Sequence, residues 1–346
     1  MICGIVLTHL GKSGMNNSEQ TLKQKFWKNK NVFVTGANGF LGSWICSRLV
    51  NYGSHVIGLE RDFFSNSYLV LTETDKKIDL ITGCLEDYHL VERILNEFDI
   101  NICFHLGAQP IVITANRFPL STFESNIRGT WNLLEAIRRN GKIERVVVAS
   151  SDKAYGSKEK MPYTEQSSLE GMNPYDFSKT CTDLLAQLYF KSYGLPIGIA
   201  RCGNFFGPGD LNYSRIVPGT IRSLINNENP IIRSDGNYMR DYFYIEDVVD
   251  AYLVLAEQLH RVRGEAFNFG TEKPISVKTI VKKIISISEK TQLKPIILNN
   301  SSGEIKIQYL SCKKAYNVLR WKFKTPLEDA LQTTYKWYEN LSSSTS

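Results

Sequence analysis

The stretch "VFVTGANGFLGSW", residues 32–44, decides how this chain is read. An apolar run stops at Gly36, further glycines follow at 39 and 42, and helical spacing of apolar residues begins at Phe40. Glycine lets the backbone turn tightly and approach a bound group closely. The N-terminus of the following helix adds unpaired N–H donors and the positive end of a dipole. Strand, glycine turn and helix in that order make a cradle for a pyrophosphate, with Gly36, Asn38, Gly39, Phe40, Leu41 and Gly42 as its expected lining. The next apolar run, "HVIGLE" at 55–60, ends on Glu60, where a ribose-binding acid belongs in such a unit. A structural turn is the bland alternative.

Working outward, "IDLITG" (78–83), "ICFHLG" (102–107), "RVVVAS" (145–150) and "LPIGIARCGN" (195–204) are further apolar runs, separated by amphipathic stretches at 87–97, 119–139 and 173–193. Continuous apolar strands alternating with helices predict an α/β protein with a doubly wound, Rossmann-type parallel sheet. After about residue 205 the texture changes to short strands, "PIIRS", "DYFYI" and "AFNFG", with helical segments at 246–259, 276–289 and 326–340. The expected organisation is an N-terminal preface at 1–26, a dinucleotide-binding domain at 27–204, mainly a substrate-binding lobe of mixed α/β structure at 205–340, and a tail at 341–346. Interleaving of that lobe with the main sheet stays open.

The 346 residues are 42% hydrophobic and 22% charged with a net charge of +6, an ordinary globular balance. Lys and Arg are scattered, so no nucleic-acid partner is implied. No apolar run approaches the ~20 residues that cross a bilayer, so no membrane partner is expected either. Seven cysteines form no ligand-spaced pair, which argues for reduced thiols in the cytoplasm and against a structural metal.

The glycine spacing is GxxGxxG, and other motifs accompany it in order: "HLGAQ" (105–109), "SSDKAYG" (150–156), "NPYDFSK" (173–179), "RCGNFFGPGD" (201–210) and "RDYFYIEDVVDAY" (240–252). Together they resemble the extended short-chain dehydrogenase/reductase family of nucleotide-sugar epimerases and dehydratases, over about residues 27–340. The resemblance implies bound NAD, with NADP open because Arg61 follows Glu60, and a nucleoside-diphosphate sugar as substrate. It extends the cofactor site to Leu85, Leu106, Ala108 and Gln109. It also implies substrate contacts from Gln109, Asn126, Asn204, Arg215 and Arg240, with Gln109 and Asn126 read equally well as organisers of the backbone. "GCL" at 83–85 stands where family members often carry "GDL".

Tyr175 and Lys179 form YxxxK, and on a helix positions i and i+4 share a face. An ammonium near a phenol lowers its pKa, so the pair suits removal of a hydroxyl proton while hydride leaves carbon, and Tyr175 and Lys179 also border the cofactor. Ser151 is the implied hydroxyl that holds the reacting oxygen. Asp152 and Lys153 then raise a question, because an epimerase needs no further acid and base. A 4,6-dehydratase does: a C5 proton must be removed and the C6 hydroxyl must leave as water. Asp-Lys after a small hydroxyl residue is similar to dehydratases of the CDP-glucose type, although the later lobe lacks their Arg-Pro-Trp segment. The expected activity is therefore a nucleotide-sugar 4,6-dehydratase. The alternatives are a 4-epimerase and a non-catalytic NAD(P)-binding regulator. Family resemblance also implies a homodimer packed through the helices at 119–139 and 173–193.

Overall fold

The computed structural model describes residues 17–300 and 305–345. The elements before the glycine turn and through the first half are α1 (Asn17–Trp27), β1 (Asn31–Thr35), α2 (Phe40–Asn51), β2 (His55–Glu60), α3 (Tyr68–Leu71), β3 (Asp79–Thr82), α4 (Tyr88–Glu97) and β4 (Ile102–His105). There follow α5 (Val112–Arg117), α6 (Pro119–Phe123), α7 (Gly129–Asn140), β5 (Arg145–Ala149), α8 (Pro174–Tyr193), β6 (Ile197–Cys202) and β7 (Asn204–Phe206). The remainder comprises α9 (Ile216–Ile225), β8 (Ile231–Ile232), β9 (Met239–Arg240), β10 (Tyr242–Tyr244), α10 (Ile245–Gln258), β11 (Ala266–Phe269), β12 (Ile275–Ser276), α11 (Val277–Ile287), β13 (Ile296–Ile297), β14 (Ile307–Gln308) and α12 (Leu327–Thr345).

Seven strands form one sheet in the order β11-β6-β5-β4-β1-β2-β3, with every neighbour parallel. Side chains alternate between its faces. Val32, Val34 and Val147 join the core that holds Leu41, Trp44 and Leu255, whereas Phe33, Val146 and Val148 join the core that holds Val91, Leu133 and Ile199. Both faces are covered by helices, which is why the strands read as unbroken apolar runs. The strand order reverses between β1 and β4, so the carboxyl ends of β1, β4, β5 and β6 open onto one crevice, the general ligand position of doubly wound sheets.

Three expectations change in detail. "AFNFG" does not stay in the later lobe: Ala266–Phe269 pairs with β6 and becomes the edge of the main sheet. The helix expected at 119–139 is interrupted by a wide π turn at Glu124–Arg128. The end of the preface is helical, in a helix that runs from Asn17 to Trp27, and Trp27 is fully buried with its indole N–H donating to Glu257 Oε1 at 2.7 Å. Residues 1–16 of that preface lie outside the described residues, and the expected tail continues α12 as far as Thr345.

One buried ion pair ties β6 to α8. Arg201 donates from Nε and Nη2 to the two carboxylate oxygens of Asp183, each at 2.8 Å, and from Nη1 to the Tyr155 hydroxyl at 2.9 Å. Tyr155 in turn donates to Asn268 on β11 at 2.7 Å. Removing one partner strands the other charge away from water, which costs about 3–5 kcal/mol. Arg201→Met is therefore expected to lower unfolding stability by about that amount in urea titration, and a loss below about 1 kcal/mol would contradict the pair's structural weight.

Candidate active site

The glycine turn is built as the sequence implies. Gly36 has φ +71°, and a Cβ on Gly42 would lie 2.1 Å from the Gly36 carbonyl oxygen, so neither position admits a side chain. A Cβ on Gly36 would also meet the Gly107 backbone at 2.9 Å, which brings the end of β4 against the turn. Phe40 opens α2 and stacks on Phe205 of β7, centroids 5.7 Å apart. Leu41 is core. Leu85 is also core and packs where Cβ atoms on Gly107 and Gly129 would fall, while Leu106 and Ala108 are half-buried beside the turn.

Two acceptors in this region are buried and unpartnered: Asn38 Oδ1 and Glu60 Oε2. Burial raises the Glu60 carboxyl pKa, with Thr82 and Asn38 opposing that rise. Unpaired acceptors at the end of β2 fit the hydroxyl donors of a ribose, and the turn beside them fits a pyrophosphate. Arg61 is bonded to Asp62 at 2.8 Å and is half exposed. Asp87, near "GCL", is committed to capping α4, where its carboxylate accepts from the Leu90 N–H at 3.0 Å.

The loop after β5 is drawn inward. Ser151 and Asp152 are both buried, the Ser151 hydroxyl donates to Asp152 Oδ1 at 3.1 Å, and the Lys153 ammonium lies 3.8 Å from Asp152 Oδ2. Lys153 also donates to Gln308 Oε1, and Gln308 Nε2 donates to the Asp152 carbonyl at 3.1 Å. Pro174 starts α8 where a missing N–H costs nothing, and this helix carries Tyr175 and Lys179 one turn apart. Lys179 Nζ donates to the Ala149 carbonyl at 2.9 Å, and burial lowers its pKa to about 8 against the opposing pull of Asp183.

The phenol does not follow expectation. Tyr175 is pushed up to about 12 by burial, with Asp152 and Asp176 adding to the rise. Arg215 gives the largest opposing charge and the Ser151 hydroxyl also helps. Lys179 is held at the strand end instead, and burial keeps the phenol protonated at neutral pH.

The other named residues divide. Asn126, in the π turn, accepts the Gln109 N–H at 2.7 Å and donates to the Gln109 carbonyl at 3.2 Å and to Ser178 at 2.9 Å. Gln109 spends its own side chain on the Ile111 backbone. This geometry is that of organisers, with both Asn126 amide hydrogens used. Asn204 keeps a buried Nδ2 without a partner, a donor aimed at no protein atom. Arg215 is paired with Asp210 at 3.2 Å and lies 5.8 Å from the Phe205 ring centroid. Arg240 lies on β9 and donates to the Met239 and Lys306 carbonyls.

His105 is a brace. Its Nδ1 meets Thr35 Oγ1 at 3.0 Å and its Nε2 meets Thr130 Oγ1 at 2.9 Å. Two residues of the cluster escaped sequence reasoning. Asp176 is buried and feels Lys153, and only its place beside Tyr175 signals it. Gln308 carries no local signal at all.

These features define a Rossmann-like α/β protein with an acid–base cluster at the carboxyl edge of its sheet. The chain belongs to the NAD dependent epimerase/dehydratase family, whose model matches residues 32–270. It is 30% identical over 334 residues to CDP-glucose 4,6-dehydratase of Salmonella typhimurium, covering 92% of this chain and 93% of that one. It is similar in structure to UDP-glucose 4-epimerase of Thermotoga maritima, solved with UDP-glucose, at 28% identity and TM-score 0.83 over 90% and 99% of the two chains. It is also similar to UDP-glucuronic acid 4-epimerase of Bacillus cereus, solved with UDP-glucuronic acid and NAD, at 26% identity and TM-score 0.79 over 90% and 99%.

Burial, and the nearby Lys179 charge, lower the His105 pKa to about 3, well below the ordinary imidazole value. The folded state therefore binds fewer protons than the unfolded state between about pH 3 and 6.5, and His105 contributes stability above that window that is lost on acidification. Its imidazole is expected to remain neutral at pH 5 by nitrogen-15 NMR, and a charged ring at that pH would contradict the bracing role.

Proposed function

We propose that this protein is a nucleotide-sugar 4,6-dehydratase that holds NAD through its catalytic cycle. The observation that carries the reading is the burial of Asp152, 3% exposed, beside Lys153 and within charge range of Tyr175. A solvated turn would leave that acid in water. The similarity to CDP-glucose 4,6-dehydratase supports it over nearly the full chain.

Gly36, Gly39 and Gly42 with the N-terminus of α2 hold the pyrophosphate, and Asn38 and Glu60 take the ribose hydroxyls. A carboxylate at that point repels a 2′-phosphate and Arg61 is already paired, which favours NAD over NADP. NAD, when bound, supplies the oxidant that takes hydride from sugar C4 and later returns it to C6, and its positive ring favours the phenolate. Tyr175 accepts the C4 hydroxyl proton, Ser151 holds that oxygen, and Lys179 adds positive charge nearby. Oxidation at C4 acidifies the C5 proton. Asp152 and Lys153 share its removal, the protonation of the departing C6 hydroxyl and the return of a proton to C5 when hydride reaches C6. Asn204 and Arg215 receive the diphosphate, with Arg240 further out, while Gln109 and Asn126 set the shape of the loop after β4. Leu85, Leu106 and Ala108 form the apolar wall behind the cofactor.

A 4-epimerase is the second reading, supported by similarity to the solved epimerases. The buried Asp152 and Lys153 favour dehydration, since epimerisation gives them no task. Mass spectrometry after incubation with CDP-, dTDP-, UDP- and GDP-hexoses distinguishes the two by the loss of one water. Asp152→Asn and Lys153→Met are each expected to keep the 340 nm signal of reduced nicotinamide while slowing product release by about 10²–10⁴. Tyr175→Phe is expected to lose both signals. Full dehydration by both Asp152→Asn and Lys153→Met would refute the assignment.

The assembly we favour is a homodimer. Leu120, Trp131, Phe177, Leu184 and Leu188 stand exposed on α6, α7 and α8, and Leu184 and Leu188 lie one turn apart on one stripe. Such a surface gains by meeting its own copy. Among the described residues no helix is long and apolar enough to cross a membrane, and no disulfide joins the six cysteines there, which supports a reducing cytoplasmic setting. Light scattering at micromolar concentration is expected to give twice the chain mass, and Leu184→Glu with Leu188→Glu to give a monomer. A monomeric wild-type protein would overturn the dimer.

A further inference from the structure

Gln308 sits on β14, which pairs in parallel with β9 so that Gln308 lies opposite Arg240. It is fully buried. Its amide reaches both members of the elimination pair: Oε1 accepts from the Lys153 ammonium, and Nε2 donates to the Asp152 carbonyl at 3.1 Å. The Lys153 to Asp152 carboxylate distance of 3.8 Å is too long for a hydrogen bond, so the ion pair alone does not aim the ammonium. A lysine has a flexible four-carbon stem and a point charge, and its direction must come from what it touches. An amide oxygen gives that direction without a full negative charge. It therefore fixes Lys153 in place without adding a full negative charge to the Asp152 and Asp176 carboxylates already near it, which suits a group that must exchange a proton. Because Gln308 is 155 positions from Lys153, a strand of the later part of the chain holds a residue of the β5 loop.

We propose that Gln308 is a positioning residue that aims the Lys153 ammonium for the elimination half of the reaction. The proposal rests on the dehydratase reading. It further means that the strand pair carrying Arg240, toward the diphosphate, also sets the pair that moves protons at C5 and C6.

The test uses the full-length protein with its retained cofactor, Gln308→Leu and Gln308→Glu variants, and CDP-, dTDP-, UDP- and GDP-glucose as probes. Gln308→Leu is expected to form the 340 nm signal at the wild-type rate and to release product about 100-fold more slowly, with KM little changed, as a misaimed group requires. Gln308→Glu keeps an acceptor for Lys153 and is expected to recover most of the product rate. Its added charge is expected to move the Lys153 limb of the pH profile upward by about one unit. Equal loss of reduction and elimination in Gln308→Leu would show a merely structural tie, and elimination at the wild-type rate would overturn the proposal outright. A wild-type protein that removes no water from any of the four sugars sinks the dehydratase reading and this role with it. Competitive acetylation with acetic anhydride gives an answer that needs no turnover. Lys153 labelling is expected to change several-fold in Gln308→Leu while the other lysines keep their rates, and unchanged labelling of Lys153 would refute the positioning contact on its own.

Discussion

A guanidinium and a carboxylate sealed from water hold the working edge of this molecule together. Arg201 and Asp183 are each at most 3% exposed, and neither charge is tolerable there without the other. Asp183 lies on the same helix as Tyr175 and Lys179, so the pair fixes where α8 stands against β6. The second arm of Arg201 reaches Tyr155, whose ring it also covers at 5.0 Å, and Tyr155 closes the loop that begins at Ser151. Asn268 completes the chain by accepting from the Tyr155 hydroxyl and donating its backbone N–H to the Glu165 carboxylate. Strand, helix and loop are thus clamped to one another just behind the acid–base cluster, and the desolvation cost of parting the charges keeps them there.

In front of that clamp burial works against the charged forms of the site's groups. Burial raises Tyr175 and Glu60 and lowers Lys179 and His105. The unpaired Asn38 Oδ1, Glu60 Oε2 and Asn204 Nδ2 line the same edge. Buried polar groups are usually paired, and a ligand carrying hydroxyls and phosphates would satisfy all three. Fixed hydrogen-bond partners in such a low-dielectric cleft are worth more than they would be in water.

The later part of the chain is woven into this edge. Residues 266–269 extend the main sheet, α10 packs on its face, and β14 brings Gln308 to the loop after β5. Phe40 of the glycine turn stacks on Phe205, and Arg215 lies over the same ring. The proposed cofactor side and the proposed diphosphate side therefore share an aromatic wall, so a shift on one side is felt on the other.

The glycine turn, the buried strands and the helix bearing Tyr175 and Lys179 were legible in the sequence, because each depends on neighbours within a few positions: φ near +71° at Gly36, unbroken apolar runs, an i to i+4 face. Burial of Asp152 and its contact with Gln308 were not, since the first arises where the loop after β5 packs on α8 and the second joins segments more than 150 residues apart. Sequence left open whether "AFNFG" joins the main sheet, because an apolar strand of four residues fits any sheet edge, and only packing beside β6 selects one. It also anticipated a lowered Tyr175 pKa from spacing alone. Tertiary structure reversed the sign, because the ammonium one turn away bonds the Ala149 carbonyl while the phenol loses its water. Local geometry decides which residues share a face, and burial decides what charge they carry there.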